Sequence, residues 1–322
     1  MSSTNQQPAS APGGAQRGGI DVTLAAVERT RRAYEQPRLK GRRWWREVGW
    51  RHVIGIAFVA FALFPVLYVV SASLNPLGTV ATSGLIPRDV GLVNYENLVA
   101  GQRGPFVRWY VNTLLLCSIV AAGQIFFSAL AAYAFSRFRF TGRRGGLLAI
   151  LLIQMFPQFL AIVALFSLFT AIGEVVPRIG LNTLPGYGLV LMGGALGNVW
   201  LIKGFFDSIP RDLDEAAVID GASHTQVYFQ IILPLVRPIL AVTGLLAFVA
   251  AINEFIIATI FLTDNSVKTL SVGLYGIIDG DRSNNLGIFA AGAVLTALPV
   301  ILLFQYLQKY IVGGLTAGSV KG

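Results

Sequence analysis

The chain has 322 residues, 54% hydrophobic and only 13% charged, with a mean hydropathy of +0.65, a mix that excludes an ordinary soluble globular domain and indicates a membrane protein. The formal net charge of +9 would suit a nucleic-acid partner, but the basic residues sit beside apolar runs, which favours lipid headgroups and topology over nucleic acid. One cysteine, Cys117, rules out an intrachain disulfide, and two separated histidines, His52 and His224, are too few for a catalytic or metal site.

In chain order, residues 1–19 are Ser, Gln, Ala, Pro and Gly, too poor in apolar surface to offset ordering, and are expected to be disordered. A basic stretch from Arg29 to Arg51, interleaved with Trp44, Trp45 and Trp50, suits an interfacial helix. Six apolar runs follow, at 53–70, 110–135, 146–172, 187–202, 239–262 and 288–306, each read as a membrane span; the fourth is the shortest. The first resembles a signal-peptide core, but its polar leader is too long for one, so it is read as uncleaved. Pro157 and Pro299 should kink the third and sixth spans. Gly193 and Gly197 form a small-xxx-small pair that permits a close helix crossing, or reflect only the frequency of glycine in membrane helices.

Arg137, Arg139, Arg143 and Arg144 after the second span, and Lys203, Arg211 and Arg237 around the segment between the fourth and fifth, fall on one side together with the basic N-terminal region. That side is expected to be the cytoplasm and to hold both termini. The segments 71–109, 173–186 and 263–286 would then face outward. The expected organisation is all-α: an N-terminal region at 1–51, a six-span body at 52–310 that includes a polar segment at 208–238, and a tail at 311–322. No internal repeat supports the inverted-repeat plan of many secondary transporters.

The polar segment reads as helix, glycine turn, helix. Asp212 with Glu215 fits a capping box, Gly221 can end the first helix, and Ser223 with Gln226 repeats the box before Pro234 interrupts. Leu213, Ala216, Ala217 and Asp220 share a face, and the alanines would let another surface approach the backbone. A helix this short is marginal alone and needs something to dock against. By pattern the choice lies between a connector folded on its own membrane body and a socket for a partner.

Glu215, Ala216, Ala217, Asp220, Gly221, Ala222, Phe229, Ile231, Leu233, Pro234, Leu235 and Pro238 resemble the EAA signature of ABC importer membrane subunits. "FPVLYVVSASL", "AAYAFSRFRFTGRR", "QMFPQFLAIVALF", "IGLNT", "IKGFF", "NEF" and "GLTAGSVKG" extend the resemblance over most of 53–322, to the oligosaccharide branch and the smaller membrane subunit of maltose and maltodextrin importers. The long basic N-terminal region departs from that pattern. The resemblance implies an ABC type I importer permease fold in the bacterial inner membrane. It also implies a second permease subunit, two ATPase subunits that carry ATP and Mg, and an extracytoplasmic sugar-binding protein. In that family Glu215, Ala216, Ala217, Asp220 and Gly221 would form the coupling helix seated in an ATPase cleft, and the C-terminal tail would lie between the ATPase subunits.

The chain has no G-x-x-x-x-G-K-[ST] loop and so no phosphate cradle of its own; no cofactor is expected on it. Asn253 and Glu254 lie at membrane depth, where an unpaired carboxylate costs about 2.5 to 3.5 kcal/mol, so they should line a pathway or fix helix packing. The segment 263–286, with Gly273, Gly276 and Gly280, is long enough to project; it reads as a solvated connector, or by resemblance as a loop reaching the binding protein. The expected function is a non-catalytic permease subunit of an ATP-driven maltose or maltodextrin importer, with another sugar such as trehalose as the alternative. A membrane enzyme lacks support because no H-E-x-x-H and no nucleophile with a visible base occurs. An ATP-independent transporter is the third reading.

Overall fold

A computed structural model describes residues 41–79, 83–87 and 89–317; the expectations for 1–40 and 318–322 lie outside the described residues. All regular structure among the described residues is helical. The chain divides into two compact units, Met1–Leu63 and Phe64–Gly322, with the boundary inside one helix.

In the first unit a helical turn, Gly41–Trp44, and a π-turn, Trp45–Gly49, lead into α1, Trp50–Leu74. Trp44 and Trp45 meet edge to face at 5.3 Å, the Arg51 guanidinium lies 5.7 Å from the Trp50 ring centre, and Arg43 Nε donates to Glu47 Oε1 at 2.9 Å. Aromatic rings alternating with guanidinium groups are the chemistry of a membrane–water boundary.

The second unit is built on α3. After α2 (Val93–Val99), α3 (Phe106–Arg137) runs for 32 residues and packs along much of the remaining chain. It is followed by α4 (Arg143–Met155), α5 (Ile162–Val175), α6 (Leu184–Met192), α7 (Ala195–Ser208), α8 (Asp212–Ile219), α9 (Arg237–Asn253), α10 (Ile256–Phe261), α11 (Leu270–Gly280) and α12 (Arg282–Ala317). Helix α3 contacts α7 and α9, and α12 contacts α9 and α11. Cys117 is fully buried in the core between α3, α6 and α9, as a small packing residue.

Among the described residues three helices are long and apolar enough to cross a membrane: Gly41–Leu74, Phe106–Arg137 and Arg282–Tyr310. Two bent pairs, α6 with α7 at 41° and His224–Leu235 with α9 at 77°, raise the number to five at most. The expected count of six does not follow from helix geometry, and the reason is local. Pro157 splits the run 146–172 into α4 and α5, each too short to cross alone. The run 187–202 breaks at Gly193–Gly194, and the run 239–262 breaks at Glu254–Phe255.

Each break inside an apolar run needs partners for the carbonyls and N–H groups it frees, because lipid supplies none. At the Gly193–Gly194 break α3 supplies them: Gln124 Nε2 donates to Leu191 O at 2.7 Å and Ser128 Oγ to Ala195 O at 2.7 Å. A Cβ at Gly194 would lie 2.6 Å from Gln124, so the close approach belongs to Gly194 rather than to the Gly193 and Gly197 pair. Helix α12 continues through Pro299 as one element. The proline has no N–H for Leu295 O four residues back, and the Tyr110 hydroxyl donates to that carbonyl instead, at 3.2 Å.

Candidate functional site

The segment between α7 and α9 folds as the helix, glycine turn and helix read from its sequence. Helix α8 carries Asp212, Asp214 and Glu215 in its first turn, where acidic side chains favour the positive end of the helix. The expected Asp212 cap is absent: Arg211 occupies the N-cap in helical geometry with no side-chain cap, and Asp212 is the first helical residue. The Arg211 side chain is instead engaged with the end of α3, as described below.

The C-terminus of α8 closes as a Schellman motif. Gly221 has φ +89°, its N–H donates to Val218 O at 3.0 Å, and Ala222 N–H donates to Ala217 O at 2.9 Å. Glycine is required by backbone conformation alone, since an added Cβ would meet nothing within 4 Å. Ser223 and Gln226 then form the reciprocal capping box read from sequence, and a π-turn, Val227–Ile232, carries the chain to Leu233–Leu235.

One face of α8 differs from expectation. Ala217 is buried against Tyr133, Val227 and the core beneath, whereas Leu213, Ala216 and Asp220 are exposed. Ala217 follows Ala216 by about 100° around the helix, enough to turn one alanine inward and leave the other exposed. Glu215 is exposed, and Val218 and Ile219 are uncovered apolar residues, Ile219 at 85% exposure. The helix therefore presents a mixed acidic and apolar outer surface while a single buried alanine anchors the inner one.

Polar ties complete the anchoring. Arg137, the last residue of α3, has a side chain only 7% exposed; its Nε lies 2.9 Å from Asp214 Oδ2 and its Nη2 donates to Ile209 O at 3.1 Å. Arg211 Nη2 reaches the other way, to Ser136 O at 3.0 Å. Ser136 Oγ donates to Asp207 Oδ1 at 2.6 Å, and Lys203 Nζ donates to Asp207 Oδ2 at 2.5 Å. Burial outweighs the nearby Arg137 and Arg211 and holds the Asp214 carboxyl above the usual carboxylate range. A cleft of about 410 Å³ opens beside this pair, lined by Tyr133, Glu215, Val218, Ile219 and His224 among others. Arg137 entered the sequence reading only as a topology marker. No spacing rule links it to Asp214, because their neighbourhood is made by the fold.

Asn253 and Glu254 form a second constellation at the break between α9 and α10. Glu254 Oε1 accepts from Ile257 N at 2.8 Å, and Oε2 accepts from Ala258 N at 2.9 Å and from the Tyr187 hydroxyl at 2.5 Å. The Glu254 carbonyl accepts from Ser271 Oγ at 3.0 Å. The carboxylate thus caps the free N-terminus of α10 and ties it to α6, while the backbone carbonyl ties the break to α11. Asn253 is exposed, and its Nδ2 donates to Val249 O of its own helix at 3.0 Å. The two neighbours are therefore not a pair: one is committed to packing and the other faces outward.

The segment 263–286 is not a projecting loop. Its first part is fastened by side chains at the start of α3: Trp109 Nε1 donates to Asn265 O at 2.8 Å, Asn112 Nδ2 to Ser266 O at 3.0 Å, and Leu270 N to Thr113 Oγ1 at 2.7 Å. Asn182, in left-handed geometry with φ 59°, accepts from Thr263 N and Asp264 N at 3.1 and 3.0 Å. The remainder is α11, with buried apolar residues at Leu270, Leu274 and Ile277, and the start of α12. Gly273 lies under the Trp109 ring, where an added Cβ would come within 2.2 Å of Cε3; Gly276 and Gly280 face open space. The spacing of Leu270, Leu274 and Ile277, four and then three residues apart, was the available signal for helix here. Among the described residues no cluster of His, Cys, Asp and Glu could hold a metal ion.

Residues 124–316 match the family model described as binding-protein-dependent transport system inner membrane component. The chain is 40% identical over 282 residues to the maltose/maltodextrin transport system permease protein MalG of Yersinia pestis, covering 84% of this chain and 92% of that one. It is also 40% identical over 269 residues to the galactooligosaccharides transport system permease protein GanQ of Bacillus subtilis, covering 83% and 93%. Its fold is similar to a chain of a bacterial ABC transporter involved in the import of the acidic polysaccharide alginate, with a TM-score of 0.69 at 24% identity over 85% of this chain and 99% of that one. Taken with the helix, glycine turn and helix at 212–235, these likenesses establish that the chain belongs to the family of inner membrane components of binding-protein-dependent ABC importers.

Proposed function

We propose that the chain forms half of the translocation pathway of an ATP-driven importer of neutral oligosaccharides, with maltose and maltodextrins the first candidates. It does so as a non-catalytic subunit paired with a second permease. The observation that carries this reading is the outer surface of α8: Glu215, Ala216, Val218, Ile219 and Asp220 are exposed on a helix anchored from below by Ala217, in a family that works with partner subunits. Two ATPase subunits would supply ATP and Mg and seat this surface, with Gly221 holding the turn that presents it. The segment would lie on the cytoplasmic side with both termini. An extracytoplasmic sugar-binding protein would deliver cargo at the opposite face, where Gly276 and Gly280 of α11 are open and Gly273 is not.

Galacto-oligosaccharides are the second reading for cargo, favoured by the equally similar GanQ of Bacillus subtilis. The test is to purify the chain with its neighbours, reconstitute it in liposomes and measure ATP hydrolysis with each sugar and its binding protein. Stimulation by maltose or maltotriose supports the first reading. Stimulation by galacto-oligosaccharides alone replaces it with the second, and absence of any copurifying ATPase sinks both.

A further inference from the structure

We propose that α3 is a push-rod, that Arg137 is the positioning residue fixing α8 to one end of it, and that Trp109 and Asn112 fix the 265–268 connector to the other. This rests on the reading of α8 as the seat of a partner ATPase, and adds the route by which a displacement there crosses the chain.

The argument starts from how little else holds α8. Of its eight residues only Ala217 is buried, and a cleft separates part of the helix from the body. An alanine methyl resists sliding weakly, so the polar ties decide where α8 sits relative to α3. Those ties cross. Arg137 leaves the end of α3 to meet Asp214 of α8 and the Ile209 carbonyl, while Arg211, next to α8, returns to the Ser136 carbonyl of α3. Ser136 and Arg137 lie in the last turn of α3, where carbonyls lack helical partners and cations are favoured. A guanidinium this buried cannot be left unpaired without a large penalty, so α8 and the end of α3 shift together or both sets of ties are lost.

Helix α3 is unbroken over 32 residues, about 48 Å at 1.5 Å per residue, and contains no proline. Its first turns hold the connector between α10 and α11 through Trp109 to Asn265 O and Asn112 to Ser266 O and, at 3.2 Å, Lys268 O. Along its length Gln124 and Ser128 grip the break between α6 and α7. Rigid elements with hydrogen-bonded ends are the physical means by which two distant sites are coupled, and α3 joins three interruptions of helix in one rod.

The experiment compares wild type, Arg137→Ala, Arg137→Lys and Asp214→Asn in the reconstituted complex, measuring copurified ATPase, sugar-stimulated ATP hydrolysis and sugar transported per ATP. A cysteine replacing Asn265, exposed in the connector, reports through its labelling rate with and without ATP. Arg137→Ala is expected to keep the ATPase bound, lower transport per ATP severalfold and abolish the ATP-dependent change in labelling at position 265. Arg137→Lys, which keeps the charge but not the planar fork, should recover part of both. Asp214→Asn preserves shape and decides the matter if Arg137→Ala fails to assemble: its loss of coupling with assembly intact supports the push-rod. Unchanged transport per ATP and unchanged labelling in an assembled variant overturn it. A wild-type chain that retains no ATPase overturns instead the reading on which it rests.

Discussion

At Glu254 a helix stops inside an apolar run, and groups the break frees are met within the chain: two N–H groups by the carboxylate, which also accepts from the Tyr187 hydroxyl, and the Glu254 carbonyl by Ser271. At Gly221 a helix also stops, its last carbonyls are equally well met by the Schellman bonds, yet Leu213, Val218 and Ile219 remain uncovered. Both interruptions find backbone partners within the chain. They differ in side chains: those at Glu254 are engaged in the chain's own packing, and those around Gly221 are left exposed, as the proposed seat of a partner requires. A polar residue in an apolar setting is evidence of a pathway only when its hydrogen-bonding capacity is left over, and Glu254 has little left.

The sharpest way to break this comparison is Glu254→Ala. It removes three charge-assisted hydrogen bonds at once, so the purified chain should lose about 3 kcal/mol or more, read as a lowered unfolding temperature in detergent. Glu254→Gln keeps one acceptor oxygen and should lose less. If both variants are as stable as wild type but transport fails, Glu254 is a pathway residue and the contrast collapses.

Gly273→Ala should come next, at about 1–3 kcal/mol, because its Cβ would meet the Trp109 ring; Gly276→Ala, which meets nothing, should be neutral. Thermal unfolding of the two side by side tests whether α11 is packed as described. Gly221→Val is smaller, about 1–2 kcal/mol, since only the left-handed backbone resists it, and Gly221→Asn should be milder still. Its effect on retained ATPase should exceed its effect on the chain's own unfolding, the reverse of Glu254→Ala. Last, Ile219→Ser should change the stability of the chain by less than about 0.5 kcal/mol, because the side chain is exposed, while weakening copurification. Equal retention of ATPase by Ile219→Ser and wild type would remove the distinction from the other side.

Much of this was legible in the residues, and what was not has a common cause. Gly221 and the Ser223 and Gln226 box could be read because turns and caps are set by residues two or three apart. The long apolar α3 and α12 could be read because length and composition suffice. The breaks at Gly194 and Glu254 could not, since whether an apolar run continues as helix depends on Gln124, Ser128 and Tyr187, which lie 67 residues from their partners. The same holds for the burial of Gly273 under Trp109 and for Arg137 beside Asp214. The inward turn of Ala217 was a matter of one residue of phase, which a helix of two turns with apolar residues all round does not specify.

The uncovered Ile219 has a consequence for the life of the chain before it finds company. On the proposed topology this exposed side chain stands in water, and chaperones and proteases recognise that kind of uncovered apolar surface until something caps it. If α8 seats a partner as proposed, surplus copies made without that partner would be cleared sooner than assembled ones, and the same side chain would help keep the parts in proportion.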